Sequence, residues 1–107
     1  MRMSVIVPVY NSSSDLCECL SALQASSSPN VEIIVVDDAS TDDIRSVAAR
    51  FGVRVLRLTK NSGPGAARNY GARHAQGDIL FFVDADVVVG RGSVGRVARL
   101  FGDHPDL

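Results

Sequence analysis

The sequence predicts an α/β fold: an open, doubly wound, Rossmann-like parallel sheet of four strands in the order 3-2-1-4, with flanking helices. Three observations lead there. Short β-branched runs alternate with helix-period segments four times along 107 residues. The second run, VEIIVV, is nearly continuous in apolar residues, as in a parallel strand covered on both faces. The intervening segments are long enough for helices, which implies parallel pairing through right-handed crossovers. A chain of this length makes one domain, residues 1–107.

The elements follow in order. Ser4 to Val9 (SVIVPV) reads as a buried strand. The polar stretch Asn11 to Ser14 offers helix caps, and Leu16, Leu20 and Leu23 then recur at helical spacing. Asp15 and Glu18 suit the dipole at that helix's start, and Ser26 to Asn30, with Pro29, ends it. Val31 to Val36 is the second strand and runs into Asp37 and Asp38. Ser40 or Thr41 is expected to cap a second helix with an inward face of Ile44, Val47, Ala48 and Phe51, stopped by Gly52. Val53 to Leu58 alternates apolar and basic residues, as a half-exposed edge strand does. The loop NSGPG leads to a third helix from about Ala66 to Gln76, with Gly77 as its stop. Asp78 to Val83 is the fourth strand and runs into Asp84-Ala85-Asp86. A last helix is expected after Ser93, carrying Val94, Val97, Ala98 and Leu100.

Composition narrows the function classes. Apolar residues make up 46% of the chain, enough to argue for a globular core over disorder. The formal net charge of −1 supplies no basic footprint for nucleic acid. The longest apolar stretch, ILFFVDADVVV, is interrupted by Asp84 and Asp86, so it does not read as a membrane span. The opening MRMSVIVPVY turns polar too soon for a secretory signal. Cys17 and Cys19 stand two apart on a helix and point to different sides, so they are expected to be reduced cysteines of a cytoplasmic protein.

In doubly wound sheets, ligands bind beyond the carboxyl ends of the strands, where the winding reverses. Here that point lies between the first and fourth strands. Asp37 and Asp38 end the second strand, Asp84 and Asp86 end the fourth, and the first ends in Val9-Tyr10-Asn11. Four carboxylates are therefore expected to approach one crevice, and a cation, metal or arginine, should share it. In extended chain Asp84 and Asp86 would point to the same side, with the small Ala85 leaving room for an anion. Hard oxygen ligands of this sort suit Mn2+ or Mg2+, which takes one or two carboxylates and completes its shell with water and phosphate oxygens. A DxD triplet alone is as easily a solvated turn; its place at a strand end beside a second acidic pair favours the ligand role. Asp37 and Asp38 can belong to the cap of the second helix, or Asp38 can accept hydrogen bonds from a base edge or ribose; two adjacent acids are more than capping requires, which favours the ligand role.

Other candidates surround this point. Tyr10 can stack on a nucleobase or simply pack at the rim. Arg68, early in the third helix, can pair with the acidic cluster or with diphosphate oxygens. Gly63 and Gly65 can bring backbone N–H groups near an anion, or form a tight turn before the helix. Arg73 reads as a solvated helix charge. His74 and His104 have no metal-ligand partner at a sensible spacing.

The segments SVIVPVYN, EIIVVDDASTD and NSGPGAARNYGARHAQGDILFFVDAD, in this order and spacing, resemble the opening of family 2 glycosyltransferases of the GT-A fold. The resemblance runs from residue 3 to about residue 100. It implies that Pro8, Tyr10 and Asp38 hold a nucleoside, usually uridine, and that Asp37 supports the pocket. It implies that Arg68, in the segment ARN, borders the nucleotide. Asp84 would lie near the ribose and the metal, and Asp86 would be the direct metal ligand. The implied reaction is sugar transfer from a nucleotide-diphospho-sugar, such as a UDP-sugar, to an acceptor hydroxyl with inversion. Family members are considerably longer, and the acceptor-binding half and the general base follow the DxD. The chain is therefore expected to be the N-terminal, donor-binding part of such an enzyme, with no catalytic base of its own and inactive alone. A membrane-associated complete enzyme is compatible with it.

Other classes with this alternation of elements make different demands on the sequence. A dinucleotide-binding oxidoreductase needs G-x-G-x-x-G after the first strand, where this chain has PVYNSSS. A phospho-receiver domain needs a phosphoacceptor Asp after the third strand, which here ends LTKN. A non-catalytic nucleotide-binding or assembly module is compatible with the motifs. The fourth strand, ILFFV, presents an apolar edge, which predicts a homodimer or higher assembly.

Overall fold

The computed structural model describes residues 2–26, 29–88, 90, 94, 96–97 and 99–100. Four parallel strands form one sheet: β1 (Met3–Val9), β2 (Val31–Asp37), β3 (Arg54–Arg57) and β4 (Ile79–Phe82). Their order is β3-β2-β1-β4, as the alternation of elements predicts. Three helices connect them: α1 (Ser13–Ser26), α2 (Ile44–Arg50) and α3 (Pro64–His74). Val94, Arg96, Val97, Arg99 and Leu100 are also helical, where the last helix was expected; Ala98 and His104 lie outside the described residues.

Strand periodicity divides the core. Val5, Val7, Ile33 and Val35 face α1 and α2, while Ile6, Ile34 and Val36 face α3. Leu16, Leu20 and Leu23 of α1 are completely buried, and each such side chain contributes about 1.5–3 kcal/mol. On α3, Gly71 lies against the sheet: a Cβ there would stand 2.6 Å from Ile6 Cγ2 and 2.9 Å from Val36 Cγ2. The absence of a side chain lets α3 sit close to β1 and β2. It does not extend over β4, where Leu80 and Phe82 are 42% and 44% exposed on that same face. Among the described residues no helix is long and apolar enough to cross a membrane.

Some local expectations are corrected. Asp43, not Ser40 or Thr41, caps α2: its Oδ1 accepts the Ser46 N–H at 3.0 Å. Ser40 is engaged elsewhere, accepting the Asn11 N–H on its hydroxyl. Helix α3 begins at Pro64, a residue suited to a first turn whose N–H groups lack helical partners. It ends at His74, with Ala75 as the cap, so Gly77 is not its stop. Gly77 instead lies against the start of β1 and donates its N–H to Ser4 Oγ at 2.8 Å. The two cysteines are free and differ in environment, Cys19 buried and Cys17 partly so, as their helical spacing requires.

Candidate functional site

The carboxyl ends of β1, β2 and β4 meet beside the start of α3. A cleft of ≈ 200 Å³ opens there, lined by Pro8, Val9, Tyr10, Asp38, Pro64, Ala67 and Asp84. Tyr10 is 49% exposed, with its ring available at the rim.

Two left-handed residues shape the loops above the strands, Asn11 at φ 51° and Ala39 at φ 59°. They are tied to each other's loops. Asn11 donates its N–H to Ser40 Oγ at 3.0 Å, and its Oδ1 accepts the Thr41 N–H at 2.7 Å. Ser13 donates its N–H to Asp42 Oδ2 at 2.9 Å. The two loops thus hold each other in conformations a side chain seldom adopts alone.

The four carboxylates do not converge on one crevice. Asp37 and Asp38 are neighbours at a strand end, so strand periodicity sends them to opposite faces. Asp38 turns toward α3 and lines the cleft. It is 3% exposed, and its oxygens accept the N–H groups of Ser62 at 2.8 Å and Gly63 at 2.9 Å. The anion that the glycine loop approaches is therefore a side chain of the protein itself. Gly63, at φ 94°, supplies a backbone angle that few other residues tolerate. Asp37 turns to the α2 side, into a separate cavity shared with Asp42, Asp43, Arg45 and Arg57. Its Oδ2 accepts from Arg57 Nη1 at 2.6 Å, and its Oδ1 from the Ser40 N–H at 2.9 Å.

Asp84 and Asp86 are exposed, as ligands for an incoming group would be. They do not lie in extended chain. The Val87 N–H donates to the Asp84 carbonyl at 3.0 Å and closes a turn, and Ala85 points into the core at 7% exposure. Ala85 thus anchors the turn rather than making room for an anion. Arg68 Nη2 stands 3.9 Å from Asp84 Oδ1. With side chains 39% and 61% exposed, that ion pair is weak and free to exchange for a ligand. Beneath the turn, the Cys19 thiol donates to the Asp84 carbonyl at 3.8 Å. Burial, with the charge of Asp86 adding to it, pushes this thiol up to about 11. It therefore stays protonated and keeps its donor.

Among the described residues no group of three or more His, Cys, Asp or Glu side chains could hold a metal by protein ligands alone. The exposed pair Asp84 and Asp86 fits a hard divalent ion of the other kind, which takes one or two carboxylates and relies on phosphate oxygens and water. His74 packs against Tyr70 with ring centroids 4.7 Å apart and planes tilted by 52°, and Arg73 lies 5.7 Å over the same ring. Neither lines the cleft. Gly65 falls in the first turn of α3.

Sequence reasoning missed Arg57 and the cleft wall formed by Pro64 and Ala67, and it placed Asn11 at the end of the first strand without its ties to Ser40 and Thr41. A signal existed for Arg57, since it is a basic residue on an edge strand that pairs with β2. The register that sets it opposite Asp37, however, is known only from the fold.

The sequence model of Glycosyl transferase family 2 matches residues 4–107. Poly(ribitol-phosphate) beta-N-acetylglucosaminyltransferase TarS of Staphylococcus aureus is 34% identical over 111 aligned residues, covering 97% of this chain and 19% of TarS. Poly(ribitol-phosphate) beta-glucosyltransferase of Bacillus spizizenii is 40% identical, covering 90% of this chain and 16% of that protein. The chain thus spans less than a fifth of the length of these two relatives. The crystal structure of S. aureus TarS 1-349 in complex with UDP-GlcNAc superposes with a TM-score of 0.91 at 34% identity, over 98% of this chain and 32% of that one. The mannosyltransferase PcManGT from Pyrobaculum calidifontis, in complex with GDP-Man and Mn2+, superposes with a TM-score of 0.80 at 32% identity, over 85% and 29% of the two chains. With the GT-A sheet and the motif order in place, the chain belongs to glycosyltransferase family 2.

Proposed function

We propose that this chain binds the nucleotide of a nucleotide-diphospho-sugar, a UDP-sugar by preference, as the donor part of an inverting glycosyltransferase. The observation that carries this is the cleft at the strand ends. Pro8 and Tyr10 offer apolar and aromatic surface for a base, Asp38 offers a carboxylate to its edge, and Asp84 with Arg68 stands at the rim. The similar TarS and PcManGT structures hold UDP-GlcNAc and GDP-Man, which supports a donor of this class.

Each residue has a task. Tyr10 stacks on the base, and the buried Asp38 accepts from its N–H edge while holding the loop that forms the opposite wall. Asp37 keeps the β2 turn in shape from the far side. Arg68 leaves Asp84 to pair with diphosphate oxygens. Asp84 and Asp86 would hold Mn2+ or Mg2+, whose chemistry is to neutralise the departing diphosphate. The general base that takes the acceptor proton lies outside these residues. Alone, the 107 residues bind the donor and do not transfer its sugar.

Equilibrium dialysis of UDP against the parent and Asp38→Ala tests this. Saturable binding that the substitution abolishes is expected. No saturable binding to the folded parent with Mn2+ present overturns the reading, and sugar transfer by the isolated chain overturns its last clause.

A further inference from the structure

Arg57 stands on β3 directly opposite Asp37 in the parallel register. Its guanidinium donates from Nη1 to Asp37 Oδ2 at 2.6 Å and from Nη2 to the Ser40 carbonyl at 3.2 Å. Asp37 Oδ1 accepts the Ser40 N–H at 2.9 Å. One arginine and one buried carboxylate thus close a ring around both ends of the turn Asp37-Asp38-Ala39-Ser40. Inside that ring is Ala39, at φ 59°. A residue with a Cβ stays in this region only when its surroundings hold it there. The residue just before it is Asp38, the carboxylate of the cleft. The Ser62 and Gly63 N–H groups hold the Asp38 oxygens and Asn11 holds the loop from one side, but the turn that aims Asp38 is also braced from the opposite face of the sheet.

We propose that Arg57 is a positioning residue for nucleobase recognition, acting through Asp37 and the Ser40 carbonyl on the aim of the Asp38 carboxylate. The proposal rests on the nucleotide reading of the cleft. Arg57 is not among the residues lining that cleft and has no direct part in binding. Its side chain is 51% exposed, so its electrostatic attraction to Asp37 is screened by water. What it supplies is geometry, a planar fork that reaches a carboxylate and a carbonyl together. A lysine carries the same charge to Asp37 on a compact, flexible head and does not present that fork. This separates positioning from plain stabilisation, because the conservative variant keeps the charge and loses the geometry.

The experiment measures the affinity of the parent and of Arg57→Lys for UDP and for inorganic diphosphate, both with Mg2+, beside thermal melts of each. Arg57→Lys is expected to melt within a few degrees of the parent, to bind diphosphate unchanged, and to bind UDP about five- to tenfold more weakly, the worth of one well-aimed hydrogen bond. Arg57→Ala is expected to lose the same base-dependent increment and stability as well. Unchanged UDP affinity in Arg57→Lys overturns the proposal, as does an equal loss for UDP and diphosphate. A parent that does not bind UDP overturns the nucleotide reading and this inference with it. A parent that binds while Arg57→Lys binds equally well sinks the inference alone.

Discussion

Asp38 Oδ2 accepts the backbone N–H of Gly63 at 2.9 Å, so an acid that lines the cleft also holds the loop on its far side. Its other oxygen accepts the Ser62 N–H at 2.8 Å. Replacing Asp38 by Asn leaves one acceptor oxygen and turns an amide N–H toward one of the two backbone donors. Leaving a buried donor unpaired costs about 1–3 kcal/mol. Asp38→Asn should therefore lower the unfolding free energy by that order, seen as a lower urea midpoint with no change in slope. An unchanged midpoint would mean that the loop does not depend on the carboxylate.

The opposite end of the sheet carries a pH-dependent contact. Glu32 accepts from Ser4 Oγ and from the Gln76 N–H, and Arg2 Nη2 stands 3.9 Å from its Oε1. Burial pushes its carboxyl upward, but these hydrogen bonds and the charges of Arg2 and Arg54 outweigh it and hold the group below its usual value of 4.5. A carboxyl depressed by folding adds stability that is present above its unfolded value and is lost as pH falls through the folded one. The parent should thus exceed Glu32→Gln in stability at pH 7, and the gap should close below about pH 4.5. Denaturant midpoints from pH 7 to pH 3 read this directly; a gap that widens on acidification would contradict it.

Gly71 tests how closely α3 must approach the sheet. Alanine favours a helix over glycine by about 1 kcal/mol. Against that, the new Cβ would stand 2.6 Å from Ile6 Cγ2 in a packed core. Overpacking of this kind costs about 1–3 kcal/mol, so Gly71→Ala should be net destabilising in a thermal melt. A raised melting temperature would show that α3 can shift outward freely.

The strand order was legible because β-branched runs, helical spacing and the handedness of crossovers leave few topologies. The place of the DxD at the end of β4 was legible for the same reason. Its conformation was not, since the turn depends on the Val87 N–H reaching back to the Asp84 carbonyl and on Ala85 finding the core. The expected gathering of four carboxylates failed at Asp37, which turns to the α2 side, while Asp38 and Asp84 do line one cleft. Placing both at one strand end ignored that adjacent residues there face opposite ways. Asp43 displaced Ser40 and Thr41 as the cap because Ser40 was already committed to Asn11, a contact between loops 29 residues apart. Tertiary partners of this kind, like those of Asp38 and Arg57, are set by register and leave no local pattern.

The edge at β4 bears on assembly. Leu80 and Phe82 are exposed on an edge strand that pairs only with β1 among the described residues. An apolar free edge favours pairing with a second copy of the chain. Light scattering at tens of micromolar should give a dimer or larger mass, and Phe82→Lys should shift it toward monomer. A monomeric parent would contradict the expectation.

In the proposed donor site a metal joins the rim carboxylates to a nucleoside diphosphate. Calorimetric titration of UDP into the protein, with and without Mn2+, on the parent and on Asp86→Ala, tests it most directly. Binding that needs the metal and disappears in Asp86→Ala is the predicted result. Binding of equal strength without metal, or in the variant, would contradict it.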